Sequence, residues 1–474
     1  MSTDTLSPEA RAMHRSRLWH GVTWVVFFVS IVAIPFETVM FSAALYFVAA
    51  FALLMANLQA FLVVLLIIVR FAVVVISIST IEMGAYVSEQ FRYGFVNGST
   101  ALYVPYLILF IFAFHFLTLK FAGRFIDRIN LEGAPLRRYF WLLVIGYVGL
   151  NAAFLLTIGM YGTAASIGGD RFVYWNHLPD AVRANVMFVR SWVLSSLAVF
   201  FGFYARYVRR PPVLLYALYG LTFVELYLMG EKFAALFNNF FLFLTGFALA
   251  AIVTRKHIRL RLSMILVAAA VVVGLYFALD AGYQQLSGGR ADSVESIRDR
   301  IVLEAHVWFG IMDLGQGLPV ADFIDMWKLN TPTTPSGLDF LSYLVTTPEY
   351  VAKRLSGGIP FTMGGAPAAL AVFGAFGGML FFALEATLYP LVGLLFLSFL
   401  RARMLTVALV SLIGYNLIML TAVMGYWDVY HSRTAYVWLA TIIGGQLIIA
   451  TRKAKQRDTE MDQPIDAGWK TAGR

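Results

Sequence analysis

Cysteine is absent from the 474 residues, so this chain can form no disulfide, no Cys-ligated zinc site and no thiol nucleophile. Charge is nearly as scarce: Asp, Glu, Lys and Arg make up 13% of the chain, where soluble domains carry about a quarter. The motifs of soluble catalysis are missing too. There is no GxGxxG after a strand, no GxxxxGK[ST], no HExxH and no GxSxG. No RNA- or DNA-binding motif appears, and the basic residues behind the net charge of +9 gather at the ends of apolar runs, so nucleic acid is not an expected partner. Asp322 and Asp325 stand three apart with nothing beside them to complete an oxygen cage, so the sequence supports no metal site and implies no cofactor. Internal repeats, common in transporters, are not evident.

What is present is apolar. Hydrophobic residues make up 60% of the chain and mean hydropathy is +0.75. The bilayer is the expected solvent, and the expected fold is an all-α polytopic membrane protein. A crossing needs about 20 apolar residues. About twelve segments qualify, near 19–37, 39–56, 57–79, 101–122, 139–159, 184–206, 211–229, 233–254, 262–281, 366–400, 404–424 and 434–451. The first, from Trp19 to Pro35, lacks a cleavage site and reads as a retained anchor. The 366–400 stretch is long. A tilted helix with a broken, Gly-rich entry fits it, as does a re-entrant piece plus a helix; a single crossing keeps the charge count consistent.

With both termini cytoplasmic, the inside segments hold Arg11, Arg15 and Arg17; Lys120 to Arg138; Arg206, Arg209 and Arg210; Arg255 to Arg261; Arg401 and Arg403; and Arg452 to Arg457. Basic residues resist translocation, which supports this orientation. The chain then divides into a nine-span bundle (1–281), a large polar outer loop (282–362) with short helices, three further spans (363–451) and a disordered polar tail (452–474).

Function is sought on the outer side. Within the large loop, Asp292 and Glu295 form a helix-start signal, and Val294, Ile297, Ile301, Ala305 and Trp308 recur at helical spacing. The pattern predicts an amphipathic helix over 293–310 whose polar face carries Arg298, Arg300, Glu304 and, in part, His306. That face is either solvated, with Arg300 and Glu304 paired, or it holds an anion and moves a proton. Residues 327–341 read as turns, and 346–367 as a lid over a site or a plain linker. A second outer segment, Gly168-Gly169-Asp170-Arg171 then Tyr174-Trp175-Asn176-His177, with Asp180 and Arg183, suits a sugar, its rings stacking and its polar groups bonding hydroxyls; an interfacial aromatic belt is the plainer reading. Lys232 in the Gly230-Glu231-Lys232 turn either snorkels or meets a phosphate. Arg190 and Glu225 sit in the outer third of spans; Arg70 and Glu385 lie deeper, where a mutual structural pair is the simple expectation.

Cations gathered where apolar spans meet water suit a lipid-linked diphosphate, because the guanidinium fork binds phosphate oxygens in pairs. Glycosyl transfer from such a donor needs cations for the leaving diphosphate and a base for the attacking hydroxyl. The candidate cations are Arg171, Lys232, Arg290, Arg298 and Arg300. The candidate bases are Asp170, His177, Glu304, His306 and His431.

The stretches "LMGEKFAALFNNFFLFLTGFALAAIVTRKH" (228–257), "SIRDRI" (296–301), "GGAPAALAVFGAFGGMLFFALEA" (364–386) and "GGDRF" (168–172), with the layout of most of the chain, resemble the Wzy-type O-antigen or exopolysaccharide repeat-unit polymerases. These are related to the O-antigen ligases and to GT-C-like membrane glycosyltransferases. The resemblance implies a bacterial inner-membrane enzyme that polymerises polyprenyl-diphosphate-linked oligosaccharides on the periplasmic face, amid membrane lipids and beside a chain-length regulator and a flippase. It implies functional roles for Arg171, Arg298 and Arg300, to which the candidate bases Glu304 and His306 are added as catalytic residues. Substrate binding would fall to Lys232, Arg290, Asp170, Tyr174, Trp175, His177 and Arg190. Lys232 stands where the family commonly has Arg. A ligase shares the layout, and a transporter or flippase of lipid-linked saccharides is the reading from a different class.

Overall fold

The computed structural model describes residues 8–94, 96–117, 136–168, 171–208, 211–231, 233–254, 258, 301–331, 333–356 and 363–461. The chain is an all-α polytopic membrane protein. Among the described residues, ten helices are long and apolar enough to cross a bilayer, and a shorter apolar helix lies among them. The first four are α1 (Pro8–Ala33), α2 (Val39–Ala56), α3 (Leu58–Glu82) and, beyond an antiparallel ribbon of β1 (Tyr86–Val87) and β2 (Arg92–Tyr93), α4 (Ser99–Leu117). Then come α5 (Leu136–Tyr161), the short α6 (Arg171–His177), α7 (Asp180–Phe188), a π-turn (Val189–Val193), α8 (Leu194–Tyr207), α9 (Val213–Leu228) and α10 (Phe233–Val253). The insertion contributes α11 (His306–Gly315), α12 (Phe323–Trp327), α13 (Gly337–Val345) and α14 (Pro348–Ser356). The chain closes with α15 (Gly365–Arg401), α16 (Leu405–Ser411), α17 (Ile413–Ile418), a second π-turn (Met419–Val423) and α18 (Arg433–Met461). Eleven of the twelve expected spans coincide with these helices; the twelfth, 262–281, lies outside the described residues.

Lipid offers no hydrogen bonds and little hydrophobic drive between helices, so close packing and satisfied polar groups hold the bundle. The sharp turn from α2 to α3 is fixed by Asn57, whose Oδ1 accepts the Ala60 N–H at 3.0 Å as an N-cap. Where α8 crosses α10, a Cβ on Gly202 would meet Phe243 O at 1.9 Å and one on Gly246 would meet Val199 O at 1.8 Å, so the two backbones touch. Tyr46 donates to Ile68 O at 2.6 Å and Thr245 to Val63 O at 3.1 Å, joining helices inside the bundle. Arg70 donates to Asn238 Oδ1 at 2.9 Å. Among the described residues no ion pair joins it to Glu385, which corrects the expected pairing.

The 366–400 stretch is a helix broken at Gly374 (φ 68°, ψ −174°), in keeping with a Gly-rich, broken entry. The backbone groups freed by the break are met within the protein. Tyr106 OH donates to Gly374 O and Ala375 O at 3.0 and 2.6 Å, Ala371 O accepts from the N–H groups of Val320 and Ala321, and Ala375 N–H donates to Gly317 O.

At one end of the bundle the insertion helices cover the ends of α3 and α4, the ribbon and the start of α15; this end is the insertion face. Three expectations change there. The helix expected over 293–310 does not run through: residues 301–303 are helical, the chain turns at Glu304–Ala305, and α11 starts at His306. Ala305, Val307, Trp308, Phe309 and Ile311 are all buried, so α11 is packed nearly all round, and Trp308 donates to Ser99 O at 3.1 Å. The turns expected over 327–341 extend only to Gly337, where α13 begins. The segment read as lid or linker is helical from Pro348 to Ser356, with Pro348 at the first position where a missing N–H costs nothing. The tail expected to be disordered from 452 continues as helix to Met461.

Candidate functional site

A Schellman turn builds the centre of the site. At the end of α9, Gly230 N–H donates to Tyr227 O at 2.9 Å and Glu231 N–H to Leu226 O at 2.9 Å. Gly230 holds φ +81°, and a Cβ there would lie 3.0 Å from the backbone of Arg171. The loop before α6 is tied down by Ala164 N–H donating to Leu228 O. The outcome is that the Glu231 carboxylate and the first residue of α6 are placed side by side.

Glu231 is 1% exposed and three side chains converge on it. Arg190 Nη2 lies 2.7 Å from Oε1, Trp175 Nε1–H donates to the same oxygen at 3.1 Å, and Arg171 Nη1 lies 3.9 Å from Oε2. Arg190 sits in the π-turn, a geometry that recurs at functional positions; Ser191 O in that turn accepts from Asn416 Nδ2 at 3.0 Å. The Arg190 guanidinium lies over the Trp175 ring at 5.6 Å, and that of Arg171 over Phe172 at 4.4 Å.

These groups line a cleft of about 440 Å³ bounded by Arg171, Phe172, Trp175, Arg183, Arg190 and Glu231, with Leu355 and Ser356 of α14 on the far wall. Arg183 also pairs with Asp180 at 2.5 Å and donates to Asn176 Oδ1 at 3.2 Å. Arg70 lies within electrostatic reach of Arg171 and Glu304. Three arginines against Glu231 and Asp180 leave one positive charge in excess, which favours an anion.

Of the residues expected from sequence, Arg171, Trp175 and Arg190 meet here. Tyr174 is fully buried and does not line the cleft, and Trp175 is spent on Glu231 and Arg190, so the exposed aromatic platform expected for a sugar is not what this segment forms. His177 is exposed at the end of α6, off the cleft. Asp170, Lys232, Arg290, Arg298 and Arg300 lie outside the described residues.

His306 is not on a polar helix face. It is buried in a second cluster, with Nε2 2.8 Å from Oε2 of the fully buried Glu89. Its Nδ1–H donates to Leu303 O at 2.7 Å, which leaves Nε2 facing the Glu89 carboxylate. Burial pulls the imidazole down to about 4. Arg354 contacts the other Glu89 oxygen, and Gln90 donates to His306 O at 2.7 Å. Glu304 lies at the turn between the clusters, within electrostatic reach of Arg70 and His306. Sequence reasoning passed over Glu231, Glu89 and Arg354. Only Glu231 carried a signal, a carboxylate placed where two spans turn.

Comparison with known proteins leaves the site to its own chemistry. A model described as "Family of unknown function (DUF6418)" matches residues 331–437, which run from just before α13 into α18. Neither the curated proteins nor the solved structures give a match.

Proposed function

We propose that this protein is a membrane glycosyltransferase of the Wzy polymerase type, which extends a polyprenyl-diphosphate-linked glycan at the extracytoplasmic face of a bacterial inner membrane. The observation that carries the reading is the arginine cleft: Arg171, Arg183 and Arg190 around one buried carboxylate, at the level where α9 ends and α10 begins. A lipid-borne diphosphate is confined to that level by its own chain. Guanidinium groups aimed there bind it and take up the charge that develops as it leaves. Glu231 keeps Arg190 in place without cancelling the cleft's positive field. Arg137, Arg138, Arg206, Arg401 and Arg452 lie at span ends on the opposite face, where cytoplasmic loops would place them.

The test is the surface glycan of a deletion strain complemented with wild type, Arg171→Ala or Arg190→Ala. Long chains should collapse to single repeat units in the deletion, and neither variant, at normal protein level, should restore them. Loss of all attached glycan would point to a ligase. Movement of lipid-linked sugar across vesicles without lengthening would refute the transferase reading.

A further inference from the structure

Two carboxylates that the cleft does not use come together at the same face. Asp339 stands in the first turn of α13, and Asp428 in the 3₁₀ turn Trp427–His431. Each takes one ordinary bond: Asp339 Oδ2 accepts from Asn330 Nδ2 at 2.7 Å, and Asp428 accepts its own N–H. The remaining oxygen of each, Oδ1, is buried with no hydrogen-bond partner. Gly337 makes the approach possible, because it holds φ +56° and a Cβ there would lie 3.0 Å from Asp428 Oδ1.

The next residue back supplies a second, independent observation. Ser336 is fully buried, its N–H donates to Asn330 Oδ1 at 3.3 Å, and its Oγ has no partner. Ser336 thus joins Asn330, which bonds Asp339, to Gly337, which packs against Asp428. The indole N–H of Trp427, beside Asp428, is likewise buried and unmet. Buried polar atoms rarely stay unpaired, so unmet atoms on these adjoining residues leave partners for a ligand to supply. Among the described residues no metal-ligand set of carboxylates and imidazoles forms around the pair. A hydroxyl, an N–H and two carboxylate oxygens instead offer the mixed donors and acceptors that sugar hydroxyls match.

We infer that Asp339, Asp428 and Ser336 form a saccharide subsite that holds the acceptor sugar and takes the proton of its attacking hydroxyl. The inference rests on the transferase reading above. The two sites are neighbours through α14: Arg354 lies within electrostatic reach of Tyr426, Tyr426 within reach of both carboxylates, and Leu355 and Ser356 line the arginine cleft. In the transfer step the hydroxyl oxygen bonds to the anomeric carbon. The bond from that carbon to the diphosphate oxygen breaks, its electron pair leaving on the diphosphate, and the hydroxyl proton passes to a carboxylate. Burial and the facing Asp339 hold Asp428 up at about 6, and burial raises Asp339 as well, while His431 opposes the rise at Asp428. One member of the pair is thus poised to accept a proton near neutral pH.

The experiment measures binding to the full-length protein in lipid nanodiscs. One probe is oligosaccharide released by mild acid from the host's own surface glycan; the other is a short-chain polyprenyl diphosphate. Asp339→Asn and Asp428→Asn are expected to weaken saccharide binding at least tenfold and to leave diphosphate binding within twofold, with Arg190→Ala giving the reverse. Ser336→Ala, which removes only a hydroxyl, guards against misfolding and should weaken saccharide binding severalfold at an unchanged melting temperature. Saccharide binding that is absent in wild type, or unaffected in all three variants, overturns the inference. So does a melting shift with calcium or magnesium alone that Asp339→Asn abolishes while no saccharide binds. Saccharide binding lost in Asp428→Asn, alongside a wild type that binds no diphosphate, sustains the subsite and defeats the transferase reading.

Discussion

Glu231 is expected to carry more stability than function, and Arg171 the opposite. The Glu231 carboxylate is 1% exposed and pairs at 2.7 Å with Arg190, itself 20% exposed. Removing one member of a buried pair costs about 3–5 kcal/mol, because the other charge is left unmatched. The part of Arg190 still in water draws this toward about 3 kcal/mol. The Trp175 N–H, left without its acceptor, adds about 1 kcal/mol. Glu231→Ala should therefore lose about 3–4 kcal/mol, and Glu231→Gln, which keeps an oxygen for one donor, roughly half of that. Arg171 is 36% exposed and 3.9 Å from the carboxylate; its pairing is worth about 0–1 kcal/mol. Arg171→Ala should melt like wild type yet fail to extend glycan. The assay is a double-mutant cycle of Glu231→Ala and Arg190→Ala by chemical unfolding in mixed micelles, with an expected coupling of about 2 kcal/mol. Additivity within about 0.5 kcal/mol would mean that the pair does not form and that the cleft is not organised as argued.

Gly230→Ala should cost about 1–3 kcal/mol, because φ is positive and the new Cβ presses on the Arg171 backbone; a lower melting temperature together with weaker diphosphate binding is the expected pair of readouts. Gly374→Ala should be at least as harmful, since φ 68° with ψ −174° is a conformation essentially reserved for glycine; yield of folded protein after detergent extraction checks it. For His306, the folded-state pKa of about 4 lies below the unfolded value of about 6.5, so the unfolded chain binds the extra proton between them. Its contribution is present above pH 6.5 and is lost as pH falls toward 4. Amide exchange in α11 should accelerate across that window in wild type, and the acceleration should flatten in His306→Gln.

Span positions were legible because a twenty-residue apolar run has few other fates, and the eleven described spans fall where hydropathy puts them. The cation side of the cleft was legible for a related reason: Arg171 and Arg190 are expensive near a bilayer and stand out in so apolar a chain. What organises them was not. Glu231 reads as one residue of a turn until the Schellman geometry folds it back over α6, and nothing local to residue 231 specifies residues 171, 175 and 190. His306 shows a different failure. Among the described residues the expected helix is interrupted at Glu304–Ala305, and His306 at the start of α11 faces the interior, against Glu89. Glu89 lies in a polar loop before α4, where a carboxylate ordinarily goes unremarked.

The break at Gly374 invites comparison with transporters, whose interrupted helices present free backbone groups to an ion or substrate near the middle of the membrane. Here those groups are already occupied. Two are carbonyls held by Tyr106, and the others bond residues 317–321 of the insertion. A break whose partners come from a water-facing insertion anchors that insertion to the bundle. It fixes the chain entering α12, and Trp327 at the end of α12 contacts the loop that carries Asp428: Trp327 O receives His431 at 2.6 Å, and the Trp327 ring stacks on Tyr430 at 5.1 Å. The broken helix therefore anchors the segment that contacts the Trp427–His431 turn. Tyr106→Phe, which removes only the hydroxyl that holds two carbonyls at the break, should loosen residues 317–331 in hydrogen exchange and leave the exchange of α8 and α10 unchanged. Equal loosening of α8 and α10 would show that the break supports the bundle as a whole, and the link from Gly374 to the insertion face would have to be given up.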